Sequence, residues 1–508
     1  MAKILYSNFM GGLSLYDKNA PENTYWEGRE IDPHRGKGYL TTGFTVSNIT
    51  EASINSKMEH ILPDPDTNDI YLLGESDRLW KMSTATTFDG SFDGINPYHD
   101  FGSGAGESLA IYPTKIGGAA SVKKLFYFWN VSGGNATAGM YDLSSTFDDD
   151  WMSTVPTGAG TLVNAPHPNI LWKSYLWFGN GQYVGRFDGE TGDNGTLDET
   201  KLNLGTSVEV TALFLTQNYI GICAWEGSSI DRRGGPCTIY FWDGTSDTYN
   251  YSIPIDAIKI TAALNSKGVI YLWMIGSDDT TIFGYLSENG FTKISAIQHY
   301  IGSTLQKYNP PTPYGVDLFN NKVVMAMGGD AVIDSKASIF SYGRDNEKQP
   351  MALTFPWSAS VVANSMCGAI KAITYKKMLV SYYDGTNYKV ATVSSGNSTT
   401  AQYKGNYKDF GQNIQINYVK LYFKPLASGD SVTPTLEVDY GTSVTLKAAK
   451  GTANSVASWA ADGAITSKKF VPPQGKQKCH TFRPVLKSWT GDVNISKIVV
   501  DFSFINDN

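Results

Sequence analysis

Residues 175–189, YLWFGNGQYVGRFDG, contain two short aromatic runs on either side of a Gly-rich turn. Aromatic residues favour strands, and Gly-rich segments favour tight turns. The second run ends in Asp188-Gly189, a further turn signal. The stretch therefore predicts two strands joined by a turn, and it sets the pattern for most of the chain.

Seven units of this kind start roughly 45–55 residues apart, the length of a four-stranded blade with its loops. One such sheet cannot bury both of its faces, whereas several sheets stacked radially bury them all. We therefore expect a roughly seven-bladed β-propeller over residues 55–405; six or eight blades remain open because the repeat is degenerate. The units are residues 69–82, 125–143, 175–189, 220–244, 269–286, 322–343 and 377–393.

The composition agrees with an all-β protein. Of the 508 residues, 41% are hydrophobic, 18% are charged and 13% are aromatic, and 51 are Gly. This is ample material for a core, and the low charge argues against disorder. A helix bundle would need more Glu, Lys, Ala and Leu. No long helix is predicted.

Residues 406–508 differ in character from the repeats. Pro425 and Pro434 interrupt the chain, and apolar and polar residues alternate around them with a period of two. This alternation is typical of half-buried antiparallel strands. We therefore expect a small C-terminal β-sandwich.

Residues 1–54 predict an extended N-terminal arm, because Gly, Pro and charged residues are frequent and no periodicity is sustained. The segment nevertheless carries many apolar and aromatic side chains, which is rare in a disordered tail. Two interpretations are equally open: the arm lies over its own domain, or it docks on a neighbouring subunit. In the second, the interface residues are Tyr6, Phe9, Leu13, Leu15, Tyr16 and Trp26.

The loop at residues 226–236, EGSSIDRRGGP, joins two aromatic strands and carries the adjacent pair Arg232 and Arg233. A solvated hairpin tip is the simpler interpretation. Paired Arg side chains on a Gly-flanked loop also suit contact with another protein. Arg232 and Arg233 are therefore candidate interface residues.

Charge and targeting signals exclude several classes of protein. The formal net charge is −7, whereas nucleic-acid binders usually carry a basic excess, so no nucleic-acid partner is expected. The first residues lack the apolar segment of a signal peptide, and no run is long enough for a membrane helix. We expect a protein made in the cytoplasm without a signal peptide. Free buried thiols are favoured over a disulfide, although Cys223 and Cys237 could meet across a hairpin.

The usual sequence patterns of catalysis and metal binding do not occur. The six His show no HxxxH spacing, and neither a GxSxG elbow nor a Walker loop is present. Residues 64–69 lack the central Gly of a calcium loop, so a turn before a strand is the better interpretation. With 48 acidic residues, carboxylate pairs suited to a glycosidase arise by chance. We expect no enzyme activity and no catalytic, cofactor-binding or metal-binding residues.

Four short segments carry a resemblance to a known family. In chain order they resemble structural proteins of tailed bacteriophage particles, which open with an Asn-Phe…Gly-Gly-Leu segment and continue with a propeller and a small β-sandwich. The resemblance covers nearly the whole chain through short motifs. The segments are residues 7–16 (SNFMGGLSLY), 408–411 leading into 419–422, 435–441 and 491–498.

The resemblance implies a tail-associated virion component in several symmetric copies, with no catalytic residues. Its implied partners are other virion proteins of the tail or connector and further copies of the chain; a host-surface glycan is a further candidate. The main hypothesis is a non-enzymatic structural protein of the phage tail, such as a nozzle, tail hub or tail-surface protein, assembled through arm and loop contacts. The alternatives are a glycan- or receptor-binding module of a tail or fibre, and a propeller-type glycoside hydrolase.

Overall fold

The computed structural model consists almost entirely of β-strands, as predicted. Within its described residues, helix is limited to one α-helix, Trp151–Thr154, and one 3-10 helix, Phe9–Gly11. The described residues are 2–14, 20–21, 23–49, 54–83, 91–92, 96–115, 120–158, 160–226, 237–276, 280–287, 290–301, 304–329, 337–360, 365–398, 401–449, 456–457 and 465–505.

The N-terminal residues contribute strands to several different sheets. The first of these strands pairs with residues 497–502, and the fifth completes a propeller sheet. These strands are β1 (Ala2–Ser7), β2 (Gly12–Leu13), β3 (Thr24–Tyr25), β4 (Glu27–Arg29) and β5 (Phe44–Ile49).

Six propeller blades are built from antiparallel strands that follow one another in the chain. The first three blades comprise β6 (Met58–Pro63), β7 (Ile70–Gly74), β8 (Arg78–Ser83), β9 (Ser91–Phe92) and β10 (His99–Asp100); β11 (Gly104–Thr114), β12 (Val122–Val131), β13 (Thr137–Tyr141) and β14 (Phe147–Asp148); and β15 (Asn169–Trp172), β16 (Tyr175–Asn180), β17 (Tyr183–Asp188) and β18 (Thr196–Asn203). The next three comprise β19 (Val208–Leu215), β20 (Ile220–Glu226), β21 (Cys237–Trp242) and β22 (Tyr251–Ile255); β23 (Lys259–Ser266), β24 (Val269–Ile275), β25 (Thr281–Ser287) and β26 (Gly290–Ile301); and, after the connecting strand β27 (Thr304–Asn309), β28 (Val316–Phe319), β29 (Lys322–Gly329), β30 (Ser338–Gly343) and β31 (Ala352–Ser358).

One further propeller sheet combines strands from distant parts of the chain. It consists of β32 (Met366–Thr374), β33 (Lys377–Tyr383), β34 (Tyr388–Asn397) and β5, which pairs antiparallel with β34. β32 contacts both β28 and β6, so this composite sheet closes the ring between the sixth blade and the first. The predicted β-propeller is confirmed, and the predicted count of seven blades stays a prediction.

The sequence units coincide with the two middle strands of these sheets. The unit at residues 175–189, for example, contains β16 and β17. The middle strands are the most apolar because other sheets cover both of their faces. Buried aromatic side chains fill the spaces between sheets: Trp177 of the third blade meets Trp242 of the fourth edge to face, with ring centroids 5.1 Å apart.

The C-terminal residues form an antiparallel unit around a single core. β36 runs across the unit and pairs with β41, β42 and β43. Val419, Leu421, Ile498 and Val500 are buried in this core, which confirms the predicted alternation; the sandwich classification stays a prediction. The strands are β35 (Gln402–Lys404), β36 (Lys408–Phe423), β37 (Ser431–Val438), β38 (Thr442–Thr445), β39 (Lys447–Ala448), β40 (Val456–Ala457), β41 (Ser467–Val471), β42 (Lys478–Thr490) and β43 (Ile495–Phe504).

The N-terminal segment is not an extended arm over its described residues, which corrects that prediction. β1 pairs with β43, and β4 pairs with β35. Phe9 and Tyr25 lie in the C-terminal core, where the Phe9 ring packs edge-on against Tyr403 at 5.6 Å between centroids. Phe9 and Tyr25 are therefore core residues of their own chain.

Replacement of Phe9 by Ala should destabilise the protein by about 3–5 kcal/mol, the usual cost of removing a buried aromatic ring. The matched control is Leu5→Ala in β1, where the side chain is 55% exposed and the expected loss is at most about 0.5 kcal/mol. Urea unfolding measures both. Equal stability of the two variants would contradict this placement of Phe9.

Candidate functional site

The predicted interface residues fall into two groups. Tyr6, Phe9 and Trp26 are between 1% and 8% exposed, and Leu13 is partly buried against two apolar clusters. These four contact their own chain, which favours the interpretation that the segment lies over its own molecule. The other candidates, Leu15, Tyr16, Arg232 and Arg233, lie outside the described residues.

A cavity of about 240 Å³ lies at the propeller axis. It is close to the start of several inner strands, which are the first strands of their blades. β-Bulges in four of these strands each insert one extra residue. A bulge re-aims the inserted side chain, and all four inserted residues line the cavity. They are Glu59 on β6, Glu107 on β11, Thr211 on β19 and Thr261 on β23.

Two carboxyl groups in this cavity have different partners. Glu59 forms an ion pair with Lys57. Glu107 accepts a hydrogen bond from the Asn130 amide at 2.7 Å. Burial, reinforced by the charge of Glu59, raises the pKa of Glu107 to about 8. Glu107 is therefore mostly protonated at neutral pH.

The basic groups of the cavity wall are paired or neutral. The Lys259 ammonium lies 3.3 Å from the Glu209 carboxylate and 4.6 Å from the centre of the Trp225 ring. His167 Nδ1 lies 2.7 Å from the Gly179 carbonyl oxygen, so this nitrogen carries the proton. Burial lowers the pKa of His167 to about 4, and the ring is neutral at pH 7.

Tyr314 reaches from the start of the sixth blade to two other blades. Its ring stacks on His60 at 3.6 Å between centroids, and its hydroxyl oxygen accepts a hydrogen bond from the Asn169 backbone at 3.0 Å. His60 Nδ1 accepts a bond from the Leu109 backbone at 2.8 Å, and burial lowers the pKa of His60 well below its usual value. Because these contacts span four blades, the Tyr314 wall of the cavity is held in place.

Other sequence features have structural roles. Asp64 accepts hydrogen bonds from the Asp66 backbone and the Thr67 hydroxyl, both at 3.0 Å, so residues 64–69 form the predicted turn. The four cysteines are buried free thiols, as favoured. Among the described residues, no three His, Cys, Asp or Glu side chains are grouped to hold a metal ion. In the same part of the chain, no helix has the length and apolarity to cross a membrane.

Sequence reasoning missed the cavity residues. Glu59, Glu107, Thr211 and Thr261 are single polar residues inside strands, and nothing in their spacing distinguishes a bulge from a solvent-facing position. One signal was available: residues 310–313, PPTP, directly before Tyr314. A Pro-rich run is rigid and cannot enter a central strand, which marks it as a fixed connection.

The arrangement can donate and accept hydrogen bonds without a large net charge. The Thr211 and Thr261 hydroxyls donate to backbone carbonyls of Cys223 and Trp273, at 3.3 and 3.4 Å, so their oxygens retain free acceptor capacity. A protonated Glu107 beside an ion-paired Glu59 is also the minimum pair for acid–base chemistry. The cavity therefore combines hydrogen-bonding groups with a wall of proline rings and Tyr314.

No family model and no curated protein matches the chain. The solved structures that align with the chain include the following three. The computationally designed Ika8 protein aligns at 11% identity with a TM-score of 0.37, over 71% of this chain and 97% of that one. An exo-beta-1,3-galactanase from Phanerochaete chrysosporium, solved with galactose, aligns at 11% identity with a TM-score of 0.31, over 69% and 98%. Raptor from Chaetomium thermophilum aligns at 10% identity with a TM-score of 0.42, over 70% of this chain and 30% of that one. Similarities of this size say nothing about the activity or partners of this chain.

The raised pKa of Glu107 predicts a pH-dependent cost to stability. Between the usual value of 4.5 and about 8, the folded protein keeps a proton that the unfolded chain has released. The free energy of unfolding therefore falls as pH rises through this window. Glu107→Gln removes this pH dependence. The free energy of unfolding of the variant, relative to that of wild type, should therefore increase by on the order of 2–4 kcal/mol from pH 5 to pH 9.

Urea unfolding at pH 5, 7 and 9 measures this gain. Glu347→Gln, in an exposed loop, is the matched control for the loss of a carboxyl group. If the difference in free energy of unfolding between Glu107→Gln and wild type does not change with pH, the proposed protonation of Glu107 is contradicted.

Proposed function

We propose that the protein is a non-enzymatic structural component of a bacteriophage virion, associated with the tail and present in several copies. One observation carries the proposal. The segments that resemble phage structural proteins, although distant in sequence, contribute to one core: Phe9, Val419, Leu436 and Ile498 belong to the same apolar cluster. The motifs thus coincide with a packing unit, which is what shared architecture with such proteins requires.

The pairing of β1 with β43 also supports the proposal. β1 is paired along its length with β43, from Ala2 opposite Phe502 to Ser7 opposite Lys497. A separate ion-pair network joins β4 and β37 through β35: Lys404 lies 2.8 Å from Glu27 and 3.7 Å from Glu437. A core that holds β1 and β43 together resists local opening, which suits a rigid part of a particle.

We further propose the finer architecture. The composite sheet of β32–β34 and β5 counts as the seventh blade, because its first strand contacts the inner strands on either side. The C-terminal unit is a β-sandwich, with β1, β43, β36 and β41 in one layer and β35, β42, β37 and β38 in the other. The working domain bounds are 55–405 and 406–508, except that β35 (Gln402–Lys404) belongs to the C-terminal unit and that residues 1–54 contribute strands to both domains.

We assign contacts with neighbouring virion proteins to the interface candidates that lie outside the described residues. These are Leu15, Tyr16, Arg232 and Arg233. Of the four, the Arg pair is the more specific, because guanidinium groups form directional bonds with carboxylates across an interface.

A glycan- or receptor-binding module is the second candidate, and the cavity at the propeller axis favours it. A glycoside hydrolase would use the same cavity, with Glu107 as acid and Glu59 as its partner. The proposal expects no release of reducing sugar from a panel of polysaccharides. Turnover that disappears in Glu107→Gln would overturn the non-enzymatic assignment.

The virion proposal predicts that the Arg232→Ala/Arg233→Ala variant folds normally but enters particles at least tenfold less than wild type. The matched control replaces two exposed lysines on other hairpins, Lys267→Ala/Lys376→Ala, and should enter normally. The measurement is immunoblotting of purified particles from a culture that expresses each variant.

Immunogold labelling of wild-type particles accompanies this assay, and label at one end of the particle is expected. Absence of the protein from particles would overturn the virion proposal. Normal incorporation of the Arg variant would overturn the role of this pair in assembly.

A further inference from the structure

We propose that the cavity at the propeller axis binds one uncharged sugar ring, such as the terminal residue of a glycan. This inference deepens the glycan-binding candidate and does not depend on the virion proposal. It rests on the size of the cavity, the chemistry of its wall and the pairing of its charges.

The size limits the ligand to a single ring. The volume is about 240 Å³, below the roughly 300–1,000 Å³ of pockets that hold drug-sized ligands. The Tyr314 contacts with His60 and Asn169 fix one wall, and backbone pairing on both sides of the bulges fixes the others. Little reorganisation is needed for binding, which favours affinity for a small ligand.

The wall of the cavity is rich in hydrogen-bond acceptors. Thr211 and Thr261 use their hydroxyl protons on backbone carbonyls, so each offers only an acceptor oxygen to a ligand. The Glu59 carboxylate is also an acceptor. A ligand must therefore bring several donors, and the hydroxyl groups of a sugar supply them.

Apolar groups line the rest of the cavity. Pro166, Pro168 and the residues 310–314 contribute ring carbons and the Tyr314 side chain. A pyranose ring carries C–H groups on its faces and hydroxyls around its edge. This combination matches a cavity with both acceptor oxygens and apolar rings better than a uniformly polar ligand does.

The charges of the wall select a neutral ligand. Glu59 is paired with Lys57, and Lys259 with Glu209. A cationic ligand would lie close to the Lys259 ammonium, and an anionic ligand close to the Glu59 carboxylate. The free-energy cost of desolvating a charged ligand would then not be fully offset by attraction to an opposite charge.

The test is isothermal titration of the purified full-length protein at pH 7. The probes are the methyl glycosides of glucose, galactose and mannose, N-acetylglucosamine, and the charged sugars glucosamine and glucuronate. At least one neutral probe should bind with a Kd of about 1 mM, which corresponds to about 4 kcal/mol of binding free energy. The charged probes should bind at least tenfold more weakly.

Thr261→Gln extends a side chain into the cavity and should weaken binding at least tenfold. Thr442→Gln, at an exposed position of β38, is the matched control and should bind as wild type does. If Thr261→Gln fails to fold by circular dichroism, Thr211→Val replaces it, and loss of the acceptor oxygen should weaken binding about fivefold or more.

Absence of binding by every neutral probe would overturn the inference, and so would unchanged binding in a folded cavity variant. Tighter binding of glucosamine or glucuronate than of the neutral probes would also overturn it. None of these outcomes affects the virion proposal, because the particle assay depends on Arg232 and Arg233.

Discussion

The pairing of β5 with β34 is the contact on which the propeller depends. It joins residues near 45 to residues near 393, and closing a loop of this length costs about 5 kcal/mol in chain entropy. Without β5, β34 would present an open edge, and the composite sheet would lack its outer strand. Burial of Phe9, Tyr25 and Leu40 in the C-terminal core helps to offset that entropy. The ring and the C-terminal unit therefore stabilise each other through the same N-terminal segment.

Local patterns predicted most of the fold. The aromatic hairpins at residues 175–189 and their equivalents were visible because sheets cover both faces of the middle strands. The alternation at residues 498–504 was visible because one face of that strand meets the core. The N-terminal segment was misjudged because its partners, β34 and β43, are more than 300 residues away in sequence. Burial of Phe9 depends on those distant pairings and leaves no local periodicity.

The cavity could not be predicted for a related reason. A polar residue inside an apolar strand, such as Glu107 in β11, is equally compatible with a solvent-facing position. Only the register between β11 and β12, which shifts between Gly106 and Ser108, shows that Glu107 is the inserted residue. Register depends on pairing along the whole strand and is not encoded by the identity of one residue. The PPTP run before Tyr314 was the one local sign of a fixed, unusual connection.

The polar lining of the cavity bears on function because rigidity alone does not require it. A ring selected only for stiffness would gain stability from apolar side chains at its axis, since buried polar groups stabilise less than good packing does. This propeller instead places Glu59 and Glu107 on bulges, where burial and, after it, the charge of Glu59 raise the pKa of Glu107. Groups held at such a cost to stability are more often found at binding sites than in structural cores. A structural role in a particle and a sugar-binding cavity are compatible, because the first is proposed to use the closed ring together with Arg232 and Arg233, and the second uses the axis.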